Sequence, residues 1–228
     1  MGCVSAALED VQSTSGTNAG STGVTVAVKT AVADQAAELR RQSDVLVEKG
    51  YPALMELTGA GFRELVAPLE EQLPAESFVL VVTGALVPPA RLIELTTLNG
   101  KPGFTTMTAD DLARFRPTPD LAMPDRAIYL VTDVDTGQEA LNIRPNDALP
   151  QILASGRTPL TLHEGLAVAT QQPTWLRERN SFEMLGSRAG DKRVTGIWVS
   201  NGAPRLGWCW AGNPHTWLGM ASAARRIG

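Results

Sequence analysis

Apolar positions first recur at helical spacing. From about Ala31, the residues Val32, Ala36, Leu39, Val45 and Leu46 mark one face, while Glu38, Arg40, Arg41 and Asp44 fall mostly on the others. That spacing predicts an amphipathic helix, which Gly50 and Pro52 then stop. A second helix is predicted from Thr58, with Phe62, Leu65, Val66 and Leu69 as its buried stripe. The two are expected to pack as a helical hairpin against the main body.

The pattern then changes. FVLVVT, residues 78–83, is an unbroken β-favouring run too short for a typical helix, so it predicts a strand buried on both faces. AIYLVTDV, residues 127–134, predicts a second strand ended by Asp135-Thr136-Gly137, and residues 140–143 are expected to pair with it as a hairpin. Between these strands, residues 91–98 fit a short helix or a strand. Asn99-Gly100 marks a turn, and Thr108-Ala109-Asp110-Asp111 reads as a capping sequence that sends Leu112 and Phe115 inward.

Residues 146–155 predict a helix closed by Gly156. Thr161-Leu162-His163-Glu164 is a fuller capping box, opening a helix with Leu162, Leu166 and Ala169 on one face; Pro173 interrupts it. VTGIWVS (194–200) and PRLGWCWAG (204–212) flank Asn201-Gly202-Ala203, the strongest hairpin signal in the chain. No internal repeat is visible, and the elements do not alternate as β-α-β units. The fold class is therefore α+β, with a mixed or antiparallel sheet, a C-terminal Trp-rich β-hairpin and an N-terminal helical hairpin. Residues 1–25, rich in Ser, Thr, Gly and Ala without apolar periodicity, read as a disordered tail. Residues 26–73 form the helical segment, and residues 74–228 the α+β domain.

Composition narrows the function classes. At 228 residues, with 43% hydrophobic and 19% charged residues, the chain has the profile of a globular protein with a substantial core. A net charge of −4 argues against nucleic acid as a partner, because phosphate binding needs clustered positive charge. Cys3 and Cys209 lie far apart, so no disulfide is expected and a reducing cytoplasm is the simplest setting. No run of about eighteen apolar residues predicts a membrane span. MGCVSA approximates an acylation start but carries Ala at position 6. Self-association is left open.

Rare residues crowd into one stretch, residues 182–219, which holds Trp198, Trp208, Trp210 and Trp217 with Cys209 and His215. In GWCWAG, strand alternation puts Trp208 and Trp210 on one face and Cys209 on the other. Trp198 joins either group, depending on register. The indoles read as core packing or as a wall for stacking a ligand. His215, between tryptophans in a loop with Asn213, is the best placed group for proton exchange, or a loop histidine bonding a backbone carbonyl. A Cys209 nucleophile is disfavoured, since a mid-strand thiol between tryptophans is ordinarily inert. No metal site is expected: a structural zinc needs four close ligands, and only Cys209, His215 and scattered carboxylates are in view.

Upstream, residues 186–193 place Arg188 between two glycines, with Asp191 following. Such a loop can present a guanidinium to an anion, or be a solvated turn. Asp191 joins His215 as a candidate catalytic residue. Arg188, Trp198, Trp208, Trp210, Asn213 and Trp217 are the candidate ligand-binding set. Asp133 and Asp135 read as turn chemistry, and His163, in the first turn of its helix, as a solvated or capping neighbour rather than a catalyst.

Several stretches, among them GYPALMELTGAGFRELVAPL, FVLVVTGALVPP, YLVTDVDTGQEALNIRPNDALP and GWCWAGNPHTWLG, resemble an actinobacterial protein family of unknown function. The resemblance runs from about residue 40 to 222 and implies no activity and no catalytic residues. The residues themselves point to a small-molecule-processing enzyme of unassigned reaction, in the setting of specialised metabolism. It would have a Trp-lined pocket, with His215 as acid/base and no cofactor specified. A non-catalytic ligand- or partner-binding protein using the same Trp-rich face is the alternative, and a Trp-rich core corner the third.

Overall fold

Helix α1 (Ser21–Glu48) buries Leu39, Gln42, Ser43 and Leu46 along one stripe. The computed structural model to which it belongs describes residues 21–228 except Arg179, with side chains from Asp34 onward. The tail expected over residues 1–25 lies outside the described residues up to position 20, and helix is already present from Ser21, ahead of the predicted start. Two members of the buried stripe are polar, and Gln42 shows why. Its Nε2 donates to the Phe78 carbonyl at 2.8 Å and its Oε1 accepts from the Leu80 amide at 2.7 Å. Those groups belong to β1 (Phe78–Val82), an edge strand whose outer backbone groups have no strand partner among the described residues. One glutamine closes the gap.

Helix α2 (Gly59–Val66) starts at Thr58, whose Oγ1 accepts from the Gly61 amide at 3.0 Å. Phe62, Val66 and Leu69 are buried as expected, but Leu65, at the margin of the stripe, is 47% exposed. The ambiguous stretch at 91–98 proves to be both elements in turn. Helix α3 (Pro89–Leu95) is followed by a two-residue strand, Thr97–Leu98, that pairs with Lys101–Pro102 around Asn99-Gly100.

Two sheets enclose the core. In the smaller, β4 (Ile128–Thr132) lies between β1 and β9 (Arg225–Ile227), all antiparallel. The larger runs β8–β5–β6–β7–β2, with strands β2 (Phe104–Thr105), β5 (Ser181–Arg188), β6 (Arg193–Ser200), β7 (Ala203–Trp210) and β8 (Leu218–Met220). A short β3 (Arg116–Pro117) also pairs with the far end of β5. β8 runs parallel to β5 and β2 parallel to β7, while β5, β6 and β7 are antiparallel, so the sheet is mixed. The β6–β7 turn holds Asn201 at φ 54° and Gly202 at φ 74°, the paired left-handed residues that match the twist of a tight hairpin.

Residues 140–143 do not form the expected strand. Gly137 and Asn142 both have positive φ, and the segment between them is a 3-10 turn, Gln138–Ala140, that breaks extended pairing. Helix α4 (Pro145–Ala154) then covers one face of the large sheet, where Ala148 meets Leu185, Val194, Ala211 and Met220.

Helix α5 (Leu162–Gln171) fills the space between the sheets and is buried on nearly every side. The predicted capping box is present: Thr161 accepts from the Glu164 amide, and Glu164 Oε2 accepts from the Thr161 amide at 2.6 Å. Glu164 also accepts from Tyr129 Oη at 2.9 Å and from the Arg226 guanidinium at 2.5 and 2.9 Å. Of the two readings of His163, as a solvated or a capping neighbour, the solvated one does not hold. The His163 Nε2 is buried against the Gly84 backbone, and burial holds the imidazole down at about 4. Among the described residues no helix is long and apolar enough to cross a membrane.

Candidate functional site

The register of the β6–β7 hairpin decides which face each rare residue takes. Arg193 opposes Trp210, Val194 opposes Cys209, Thr195 opposes Trp208 and Gly196 opposes Gly207. Alternation then sends Trp208 and Trp210 to one face and Cys209 to the other, as expected. The two tryptophans meet edge to face at 4.8 Å and remain 37% and 48% exposed. Beside them the Arg193 guanidinium lies 5.4 Å from the Trp208 ring and 5.3 Å from that of Phe115. Asp111 holds Arg193 through two bonds of 2.8 Å, and Asp191 through bonds of 2.9 and 3.0 Å. Asp191 is therefore brought to Arg193, and to Arg114 at 3.5 Å, rather than to His215. Hydrogen bonds from Arg193 hold the Asp191 carboxyl below its ordinary range.

The opposite face is built around glycines. Glu183 opposes Gly196, which opposes Gly207, so two adjacent strands offer no side chain there. The Trp198 ring occupies that space, and a methyl group at Gly207 would collide with it. Trp198 meets Trp217 edge to face at 5.9 Å, and Trp217 meets the His215 ring at 5.7 Å. On the other side of Trp198 the Arg205 guanidinium lies 5.5 Å from the indole, with its Nε buried and unpartnered among the described residues.

Below this wall three reactive groups converge. Ligand-capable atoms of Glu183, Cys209 and His215 all lie within 4.8 Å of one another, and His215 Nε2 is 3.8 Å from Glu183 Oε1. Glu183 is fully buried, and neither carboxyl oxygen has a hydrogen-bond partner among the described residues; nor has His215 Nε2. Burial pushes the Glu183 carboxyl up to about 7, with the neighbouring Cys209 thiol offsetting part of the rise. Burial, reinforced by the Glu183 carboxyl, pushes the Cys209 thiol far above its ordinary value. Partial burial also lowers His215.

Backbone contacts fix the loop that carries the imidazole. Asn213 donates its amide to the Trp210 carbonyl at 3.0 Å, and the His215 carbonyl accepts from the Asn142 amide at 2.7 Å. The Trp217 carbonyl accepts from the Ser181 amide at 3.3 Å, which ties the loop to the start of β5 two residues before Glu183. Asn213 itself is exposed. Arg188 lies opposite Val194, itself opposite Cys209, so the register puts it on the same sheet face two strands away. Its guanidinium is half-buried, and burial lowers its pKa.

Sequence reasoning found His215, Trp198 and Trp217 but not Glu183 or Arg205, and it discounted Cys209 as hidden behind the tryptophans. Cys209 is indeed turned away from Trp208 and Trp210, yet what it faces is a carboxylate and an imidazole. The signal for Glu183 is a charged residue inside the run SFEMLGSR, legible only once that run is known to be an interior strand. A separate concavity of about 480 Å³ is lined by Asp133, Asp135, Arg157, Trp175, Arg177 and Asn180. Arg157 there is already engaged by Asp133 at 2.8 Å and by Ser222 at 2.9 Å, and Asp135 closes the expected turn onto the Gly137 amide.

A protein-family model described as a family of unknown function (DUF5701) matches residues 45–228. No curated protein and no solved structure matches the chain.

Proposed function

The chain belongs to that family of unknown function, and we propose that it is an enzyme that processes a small molecule at the corner of Glu183, Cys209 and His215. One observation carries the reading: a fully buried carboxyl with no hydrogen-bond partner faces a thiol and an imidazole. Leaving such a group unpaired costs a fold several kcal/mol, by order of magnitude, and groups held in that condition concentrate at functional sites. Trp198 and Trp217 offer the apolar wall for the body of a substrate, and Arg205 offers a cation at its far end. The His215 side chain is 23% exposed whereas Glu183 is out of water, so His215 offers the carboxyl a route for protons to solvent. A cytoplasmic setting in specialised metabolism agrees with a free Cys209 thiol.

A second reading rests on the other face. Trp208 and Trp210 are exposed beside Arg193, a combination enriched at protein-binding surfaces. It favours a non-catalytic protein that binds a ligand or partner there.

A thermal-shift screen of a metabolite library against wild type, His215→Ala and Trp210→Ala separates the two. Compounds whose stabilisation is lost in His215→Ala and kept in Trp210→Ala support the enzyme. The reverse dependence would sink that reading and support the surface site.

A further inference from the structure

We propose that the corner is a zinc site, in which the Glu183 carboxylate, the Cys209 thiolate and His215 Nε2 hold one Zn²⁺. This deepens the enzyme reading and rests on it only for the use to which the ion is put.

The geometry suits a small tetrahedral ion. One candidate atom from each residue lies within 4.8 Å of the other two, and the His215–Glu183 pair is at 3.8 Å. Around tetrahedral zinc, ligands about 2.0–2.3 Å from the ion stand about 3.3–3.8 Å from one another. Side-chain movement of about 1 Å or less therefore brings all three onto one ion.

The atoms involved are also the ones left without partners. Both Glu183 oxygens and His215 Nε2 are buried and unpartnered among the described residues, and Glu183 is wholly out of water. A buried carboxylate is ordinarily ion-paired or bound to metal. Among the described residues no guanidinium lies within salt-bridge distance of Glu183, whose ion-pair contact is His215 Nε2 at 3.8 Å. The donor set then selects the ion. Carboxylate, imidazole and thiolate together suit zinc, whereas magnesium and calcium take oxygen ligands almost alone.

The fold positions the set. Glu183 and Cys209 project from β5 and β7 on one face of the sheet, and β6 between them places Gly196 opposite Glu183, so no side chain intervenes there. His215 comes from a loop pinned through its own carbonyl to the Asn142 amide. Three protein ligands leave a fourth position open, the arrangement of catalytic zinc, where the ion supplies Lewis acidity and an activated water. Trp217, against the His215 ring, borders the corner with an apolar edge.

The test uses the full chain, stripped with a chelator and titrated with Zn²⁺ against a chromophoric competitor. A single equivalent is expected to bind. Co²⁺ in its place is expected to give a thiolate-to-cobalt charge-transfer band. Cys209→Ser should abolish that band, and both Cys209→Ser and His215→Ala should weaken zinc binding about 100-fold or more. Cys3→Ser and Trp210→Ala should leave both signals unchanged. Circular dichroism of the metal-free variants reports folding, and if Cys209→Ser does not fold, His215→Ala decides alone. No stoichiometric binding at micromolar zinc, or affinity undiminished in the folded ligand variants, overturns the proposal. Compound stabilisation that depends on His215 yet survives chelation would reject the zinc and keep the enzyme reading. Zinc binding alongside compound stabilisation indifferent to His215 would do the opposite.

Discussion

His215 Nε2 stands 3.8 Å from Glu183 Oε1, and neither atom has a hydrogen-bond partner among the described residues. The separation is too long for a hydrogen bond, yet the pair faces a common space that the Cys209 thiol also borders. A salt bridge between them would need an imidazolium, and burial disfavours one. Packing alone gives no reason to bury a carboxyl in this way.

Replacing Glu183 by Gln preserves shape and removes the charge. Burial raises this carboxyl to about 7 from an ordinary 4.5, so the folded chain carries a destabilising charge above that range. In metal-free protein at pH 8, Glu183→Gln is expected to add about 1–3 kcal/mol to the unfolding free energy, and in zinc-treated protein to abolish the stabilisation that the ion confers. Urea titration of both forms checks it; lower stability with an intact ligand response would mark the corner as ordinary packing.

A pH dependence follows from His163. Its folded pKa, about 4, lies below the ordinary 6.5, so the unfolded chain takes up a proton before the folded chain does. Stability is therefore full above pH 6.5 and falls as pH drops toward 4. His163→Gln should flatten that part of the profile, as measured by urea midpoints at half-unit intervals. A slope unchanged by the substitution would rule His163 out as its source.

The Glu164–Arg226 pair is fully buried and doubly bonded, so removing one partner strands the other's charge. Arg226→Ala and Glu164→Ala are each expected to cost about 3–5 kcal/mol. The double substitution should cost clearly less than their sum, a coupling that a double-mutant cycle measures directly. Additive losses would show that the pair contributes little as a pair.

At Gly207 the Trp198 ring sits where any side chain would begin. Gly207→Ala should displace the indole and cost about 1–3 kcal/mol by overpacking. Tryptophan fluorescence should shift along with the loss of compound binding at the corner. Unperturbed emission would mean that the ring does not rest on this glycine in solution.

The fold was largely legible where signals are local. Asn201-Gly202 announced the hairpin, Thr161 and Glu164 their capping box, and the runs at 78–83 and 127–134 their buried strands, because turn chemistry, caps and hydrophobic runs act over a few residues. Residues 140–143 misled, since the apolar pattern there is overridden by left-handed backbone at Gly137 and Asn142. The candidate site was half legible. Alternation assigned Cys209 its face correctly, but nothing local says what a face will meet across the sheet. Glu183 lies 26 positions before Cys209 and reaches it only through the pairing of β5, β6 and β7. The glycines that admit Trp198 likewise gain their meaning from register alone.

Gln42, bridging Phe78 and Leu80, has a consequence for self-association. β1 is five consecutive apolar residues, and one amide side chain from α1 is what occupies its free edge. Release of α1 would present that edge as a template for a strand from another molecule, a route to swapped dimers or fibrils. The family match begins at residue 45, so Gln42 lies three residues ahead of the matched segment, and a chain cut back to that segment would lose this guard against misassembly.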